Sequence, residues 1–105
     1  MFRVPFEVRN RHIIEKLIQC ESSGINISRE DSNKVDSHGI LQFNGTSTWE
    51  EMSRKSGIKG SPVFPEHAIR MADWMIENGH LGRWSCTHIL GLEKLSTGQQ
   101  ETDML

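Results

Sequence analysis

The spacing of apolar residues predicts an amphipathic helix near the start of the chain. At about 100° per residue, the apolar residues of this stretch fall on one stripe. The stripe consists of Ile13, Ile14, Leu17, Ile18 and Cys20. The predicted helix runs from about Glu7 to Ser22, and Gly24 supplies the left-handed residue that commonly follows a helix.

Glu21 lies near the centre of this apolar stripe, four residues after Leu17. Because it also falls in the last helical turn, apolar surroundings and the negative pole of the helix should both favour the protonated form of its carboxyl group. A carboxyl group that keeps its proton near neutral pH can act as a general acid. The alternative is a solvent-facing glutamate at a frayed helix end.

A capping-box signature predicts the start of a second helix. The candidate pairs are Ser47 with Glu50 and Thr48 with Glu51. This helix would carry Trp49 and Met52 inward and stop at Gly57.

A third helix pattern begins at Pro65, a residue that suits the first turn of a helix, and ends at Asn78 and Gly79. Its apolar stripe consists of Ala68, Ile69, Ala72, Met75 and Ile76. Met71 and Trp74 flank the stripe and are expected in the core. Residues from Thr87 to Leu92 predict a further short helix.

The segments between the helices are polar or short. Ile25 to Ser37 is rich in Asn, Ser and Asp without an apolar period, which predicts a loop that is long for so small a domain. Gly39 to Phe43 is a short apolar run that predicts a strand or a compact turn lining a cleft. We expect residues 1–92 to form the domain and 93–105 to be a flexible polar tail.

Composition and charge exclude several classes of function. The chain has 105 residues, enough for one small domain, and its twelve basic and fourteen acidic residues give a net charge of -2. No basic cluster indicates a nucleic-acid partner. No run approaches the roughly 18 apolar residues of a membrane span, and charges between Met1 and Asn10 interrupt what would be the apolar part of a signal peptide. We therefore expect neither a membrane span nor an export signal in this sequence. Two routes stay open: a leader that has been removed, or release in another way, for example after lysis of a host.

The chain has two cysteines, Cys20 and Cys86, which could form one disulfide or remain free thiols. A disulfide would close a loop across most of the domain and stabilise it by roughly 4 kcal/mol in the chain-entropy model. Alternatively, both thiolates could bind a metal together with His80 and His88, although their spacing matches no standard zinc pattern.

Five short motifs follow one another between Ile13 and Cys86. They are Cys20-Glu21-Ser22-Ser23-Gly24, Ser37-His38-Gly39-Ile40-Leu41-Gln42-Phe43, Thr48-Trp49, Pro65 with Ala72, and Trp84-Ser85-Cys86. In this order they resemble the lysozyme-like domains of lytic transglycosylases, in particular resuscitation-promoting factors and related transglycosylase-like domains. The fold implied is mainly α, of the α+β lysozyme-like kind, with a short β-like segment lining the cleft.

The resemblance implies an enzyme that cleaves the β-1,4 bond between N-acetylmuramic acid and N-acetylglucosamine in peptidoglycan. Glu21 would be the catalytic acid and then the base, and Cys20 would pair with Cys86. The implied substrate-binding residues are Ser37, Gln42, Thr48 and Trp84, the last packing on sugar rings. No metal or organic cofactor is implied. We expect a monomer that is extracellular, periplasmic or virion-associated.

Glycoside cleavage generally uses two carboxyl groups, and the second has no certain candidate here. Glu30, Asp31 and Asp36 lie in the predicted loop, and Asp36 is the best placed because it adjoins Gly39 to Phe43. A loop of this composition is poorly suited to holding a nucleophile in place. The resemblance then implies that the acetamido group of the substrate attacks the anomeric carbon and yields a 1,6-anhydro sugar.

Three other hypotheses stay open at this stage. A hydrolytic muramidase would use Glu21 together with Asp36. A cell-wall or protein-binding module could keep the same fold without catalysis, in which case Glu21 would be structural. A zinc-stabilised helical interaction domain would use the cysteines as metal ligands.

Overall fold

Helices make up most of the structure, a computed structural model that describes residues 8–26, 28–30 and 36–92. For residues 29, 30, 36 and 44–47 only the main chain is described. Residues 1–7, the loop carboxylate Asp31 and the predicted tail 93–105 lie outside the described residues. The helices are α1 (Arg11–Ser22), α2 (Gly45–Ser56), α3 (Pro65–Glu77) and α4 (Ser85–Ile89), with a 3₁₀ turn at Leu81–Arg83 before α4. Within the described ranges, no helix is both long and apolar enough to cross a membrane.

The core lies between the apolar faces of α1 and α3, as their spacing predicts. Ile14 and Leu17 of α1 and Met75 and Ile76 of α3 are completely buried. Full burial of side chains of this size stabilises a fold by about 1.5–3 kcal/mol each. The prediction of α3 from Pro65 is confirmed, and Met71 lies in the core. A short helix overlaps the predicted stretch Thr87 to Leu92, but it begins earlier, at Ser85, and ends at Ile89.

Three short strands form an antiparallel sheet beside the helices: β1 (Ser28–Glu30), β2 (Asp36–His38) and β3 (Phe43–Asn44). Strand β2 lies in the middle: His38 pairs with Ser28 of β1 on one side and with Phe43 of β3 on the other. The prediction of a loop from Ile25 to Ser37 is therefore wrong at β1 and β2. Strands of three residues made mostly of polar side chains are held by main-chain pairing and carry too few apolar positions to show a period of two.

A compact turn at residues 39–42 joins β2 to β3, which confirms one of the two alternatives for the run Gly39 to Phe43. The amide of Gln42 donates to the carbonyl oxygen of Gly39 at 3.1 Å. Ile40, Leu41 and Phe43 are buried, so the turn points into the core.

The predicted starts of the first two helices need correction. Strand β3 runs directly into α2, which begins at Gly45, so the capping-box interpretation of Ser47 and Thr48 is wrong and both residues lie inside the helix. Helix α1 begins at Arg11 and not near Glu7. The residue before it, Asn10, is non-helical because Asp73 and Glu77 of α3 hold it through hydrogen bonds.

A disulfide joins Cys20 in the last turn of α1 to Cys86 in α4, with the two Cα atoms 6.1 Å apart. The pairing implied by the resemblance is confirmed. Because both sulfur atoms are in this bond, the alternative zinc site built on two thiolates is not formed. The residues that it links are 66 positions apart, so the chain-entropy estimate of roughly 4 kcal/mol applies.

A polar cluster ties the start of α1 to the end of α3. The side-chain amide of Asn10 donates to Asp73 at 2.8 Å and to Glu77 at 2.9 Å, and Arg9 donates to Glu77 at 2.9 Å. The hydrogen bond from Asn10, followed by that from Arg9, lowers the pKa of Glu77 below its ordinary value. The cluster therefore stabilises the ionised carboxylate.

We predict that Glu77→Gln lowers the free energy of unfolding by about 0.5–1 kcal/mol at pH 7, the range of a partly exposed ion pair. Because the pKa of Glu77 is lower in the folded state, this contribution is complete above the unfolded pKa of about 4.3 and disappears as pH falls through the folded value. Urea unfolding from pH 7 to pH 3 measures it. Glu50→Gln, at an exposed position of α2, is the control for loss of one carboxylate, and an equal destabilisation by both variants at pH 7 would contradict the prediction.

Candidate active site

Glu21 lies half-buried in the last turn of α1, next to the disulfide. The main-chain N–H of Cys86 donates a hydrogen bond to its Oε2 atom at 3.2 Å. The helix end is not frayed, because Ser23 takes the left-handed conformation and its N–H donates to the carbonyl oxygen of Gln19. The carboxylate of Glu21 is therefore held at the junction of α1 and α4.

Ser22 connects this junction to the turn 39–42. Its buried hydroxyl donates to the carbonyl oxygen of Ile40 at 2.6 Å and lies 3.2 Å from that of Ile18. The hydroxyl oxygen of Ser22 also accepts a hydrogen bond from the N–H of Gly24 at 3.1 Å. A serine two residues before a glycine at a helix end is a turn signal, which could have indicated the bond to Gly24 but not the bond to Ile40.

Gln42 closes the turn and faces inward. Its side-chain amide donates to the carbonyl oxygen of Gly39 at 2.7 Å, and the residue is 8% exposed. Gly39 has a φ of +81°, and a Cβ atom there would overlap the carbonyl oxygen of Pro62. The turn thus packs directly against the segment that precedes α3.

Trp84 supports the turn from inside the core. Its indole N–H donates to the carbonyl oxygen of Leu41 at 2.9 Å, and its ring meets Phe43 edge to face, with centroids 5.6 Å apart. Trp84 is 4% exposed. The expectation that Trp84 packs on sugar rings does not fit this buried position, because so little of the ring is accessible to a ligand.

The other predicted residues lie on the sheet and on α2. Asp36 is in β2, where its main chain pairs with Glu30, and not in a loop; its side chain lies outside the description. Ser37 is buried in the same strand between its partners on β1 and β3, and Thr48 is half-buried in α2. The structure therefore links Glu21 to the turn that contains Gln42, and it places Asp36 and Ser37 on the strand that leads into this turn.

His38 is a further polar residue of β2 that the sequence did not single out. Its Nδ1 atom lies 2.8 Å from the hydroxyl oxygen of Ser28 across the β1–β2 pair. In the described part of the chain, no three His, Cys, Asp or Glu side chains are arranged to hold a metal ion.

Comparisons of this chain with protein-family models, curated proteins and solved structures find no match. The functional interpretation therefore depends on the motifs and on the arrangement of the residues described above.

We predict that Trp84→Phe lowers the free energy of unfolding by about 1–3 kcal/mol, because the substitution keeps an aromatic ring but leaves the buried carbonyl oxygen of Leu41 without its donor. Urea unfolding measures the loss. Trp74→Phe is the matched control, since the half-buried indole of Trp74 stacks on His80, and it should cost less. A Trp84→Phe protein as stable as the parent would show that the hydrogen bond to Leu41 does not hold the turn.

Proposed function

We propose that this protein is a lytic transglycosylase that cleaves the β-1,4 bond between N-acetylmuramic acid and N-acetylglucosamine in peptidoglycan. The observation that carries the proposal is the position of Glu21, a half-buried carboxylate with one oxygen bound by the amide of Cys86 and with a disulfide beside it. The motifs around Glu21 and the turn 39–42 add their resemblance to the lysozyme-like domains of this class.

Catalysis by Glu21 requires a carboxyl group that is held in place while it transfers a proton. A catalytic group must lie within roughly 0.5 Å of its productive position. The disulfide at Cys20, the amide of Cys86 and the hydroxyl of Ser22 fix the main chain and one carboxylate oxygen around Glu21. A carboxyl group held in one orientation in this way has less freedom to lose when it reacts, which favours proton transfer to a bound leaving group.

The proposed reaction has two steps. Glu21 first donates a proton to the glycosidic oxygen, the bond to the anomeric carbon of N-acetylmuramic acid breaks, and the acetamido oxygen of the same sugar forms a bond to that carbon. Glu21, now a carboxylate, then takes the proton of the C6 hydroxyl, whose oxygen displaces the acetamido oxygen. The product is a 1,6-anhydro sugar, and Glu21 ends the cycle protonated.

A hydrolytic muramidase is the second candidate because Asp36 lies in strand β2. Main-chain pairing with Glu30 restrains Asp36, which removes the physical reason for regarding it as too poorly held to act. In that mechanism Asp36 would act as nucleophile or activate water. The anhydro product and the reducing-end product differ by one water, so product mass distinguishes the two mechanisms.

The disulfide is compatible with an oxidising location, since such bonds rarely persist in the cytosol. We propose that the protein acts outside the cytosol, in the extracellular space, in the periplasm or on a virion. These are also the places where an enzyme meets mature peptidoglycan.

We predict that Glu21→Gln lowers the rate of cell-wall cleavage by at least ~10²-fold while folding is retained, because the amide keeps the shape of the side chain but donates no acidic proton. Turbidity loss of purified peptidoglycan measures the rate, and circular dichroism checks the fold. Glu15→Gln is the matched control, since Glu15 is a half-buried glutamate of the same helix, and its activity should equal the wild type. Glu21→Gln cleaving peptidoglycan near the wild-type rate would refute the assignment, whereas binding without cleavage by the wild type would indicate a non-catalytic cell-wall module.

We predict that Asp36→Asn keeps most of the activity and that the main product of the wild type is the anhydro-muropeptide, because the acetamido group of the substrate replaces an enzyme nucleophile. Mass spectrometry of digested peptidoglycan identifies the product. Glu30→Gln, opposite Asp36 on β1, is the control. A reducing-end product together with an inactive Asp36→Asn would establish the two-carboxylate muramidase instead.

A further inference from the structure

In the described part of the chain, Phe64 is the one Phe or Trp side chain that is exposed. It is 57% exposed, whereas Phe43, Trp49 and Trp84 are buried and Trp74 is half-buried. Its neighbour Val63 is 39% exposed and Ile25 is 56% exposed. Burying this apolar surface against a ligand would be favourable.

Two hydrogen bonds and a ring contact hold the segment 60–64, which presents Phe64. The indole N–H of Trp49 donates to the carbonyl oxygen of Gly60 at 3.1 Å, and the N–H of Ser61 donates to Nδ1 of His67 at 3.1 Å. The ring of Phe64 meets that of His67 edge to face, with centroids 5.2 Å apart. An exposed ring fixed in this way loses little conformational freedom when a ligand binds.

Two contacts connect the segment 60–64 to the structure around Glu21. The side-chain amide of Asn26 donates to the carbonyl oxygen of Val63 at 2.7 Å. The turn from Ser22 to Ile25 is closed by an N–H to carbonyl bond of 3.0 Å, which limits the Cα separation of Glu21 and Asn26 to about 15 Å. The second contact is the packing of Gly39 against Pro62.

We infer that Ile25, Val63 and Phe64 form a glycan-binding subsite of the site that contains Glu21; this inference rests on the proposed function. The apolar C–H face of a pyranose ring would pack on Phe64, and the methyl group of an N-acetyl substituent would contact Val63 or Ile25. The stretches 22–26 and 61–65 carry no charged side chain, which favours the uncharged N-acetylglucosamine units over the charged peptide stems. A glycan strand is long enough to reach this subsite while another of its sugars lies at Glu21.

The test measures binding of soluble glycan strands, freed of their peptide stems by an amidase, to the Glu21→Gln protein, which leaves the strands uncleaved. Phe64→Ala in this background should weaken binding roughly tenfold, which corresponds to about 1.4 kcal/mol. Phe64→Trp should restore it, because tryptophan offers a larger ring face. Ile89→Ala is the control for loss of an exposed apolar side chain on α4 and should bind as the parent does.

A kinetic measurement separates this inference from the proposed function. In the otherwise wild-type protein, Phe64→Ala should raise KM for the same strands roughly tenfold with kcat little changed. If the wild type cleaves peptidoglycan but Phe64→Ala binds and cleaves as the parent does, the subsite is refuted and the proposed function stands. If the wild type does not cleave but binding still depends on Phe64, the proposed function fails and the subsite stands. Absence of strand binding by the Glu21→Gln protein would overturn the subsite.

Discussion

The covalent link between α1 and α4 is the constraint on which the arrangement around Glu21 depends. Cys86 contributes to this junction twice, through its sulfur to Cys20 and through its amide to Glu21. Because the two cysteines flank the carboxylate on separate helices, the separation of α1 and α4 also sets the hydrogen bond to Oε2. Helix α4 has five residues and is too short to be stable by itself, so its position follows from the bond and from the burial of Cys86 and Thr87.

A second linkage runs through the turn 39–42 and fixes the opposite side of the junction. Ser22 binds the carbonyl oxygen of Ile40, and Trp84 binds that of Leu41, so two successive carbonyl groups of the turn are held by donors from different parts of the chain. Each bond also satisfies a polar group that would be costly to bury without a partner. The turn therefore acts as the structural connection between α1, the sheet and the segment before α4.

Helical periodicity predicted the parts of the fold that bury wide apolar faces, and it failed where main-chain pairing decides the structure. The stripes of α1 and α3 are long enough to show their period, and Glu21 could be placed in the last turn of α1 from them. Strands β1 and β2 have too few apolar residues for their positions to be predicted from the sequence. The start of α2 is set by its direct continuation from β3, which overrides the local capping signal.

The site residues show the same division. The pairing of Cys20 with Cys86 came from the resemblance, since two cysteines by themselves leave both oxidised and reduced states open. The resemblance implied that Trp84 packs on sugar rings, and its polar neighbours in the sequence gave no sign that it is buried and donates to the carbonyl oxygen of Leu41. The contribution of Ser22 depends on a partner 18 residues away and could not be read from local sequence.

The close approach of Gly39 to Pro62 limits which residues can replace Gly39. Any side chain at position 39 would have to displace the main chain at position 62, and the φ of +81° disfavours such a residue independently. Compensation would require the segment before α3 to move away, which would break the bond from Asn26 to Val63. A substitution of Gly39 alone is therefore disfavoured. It would be accommodated only together with changes in the segment before α3.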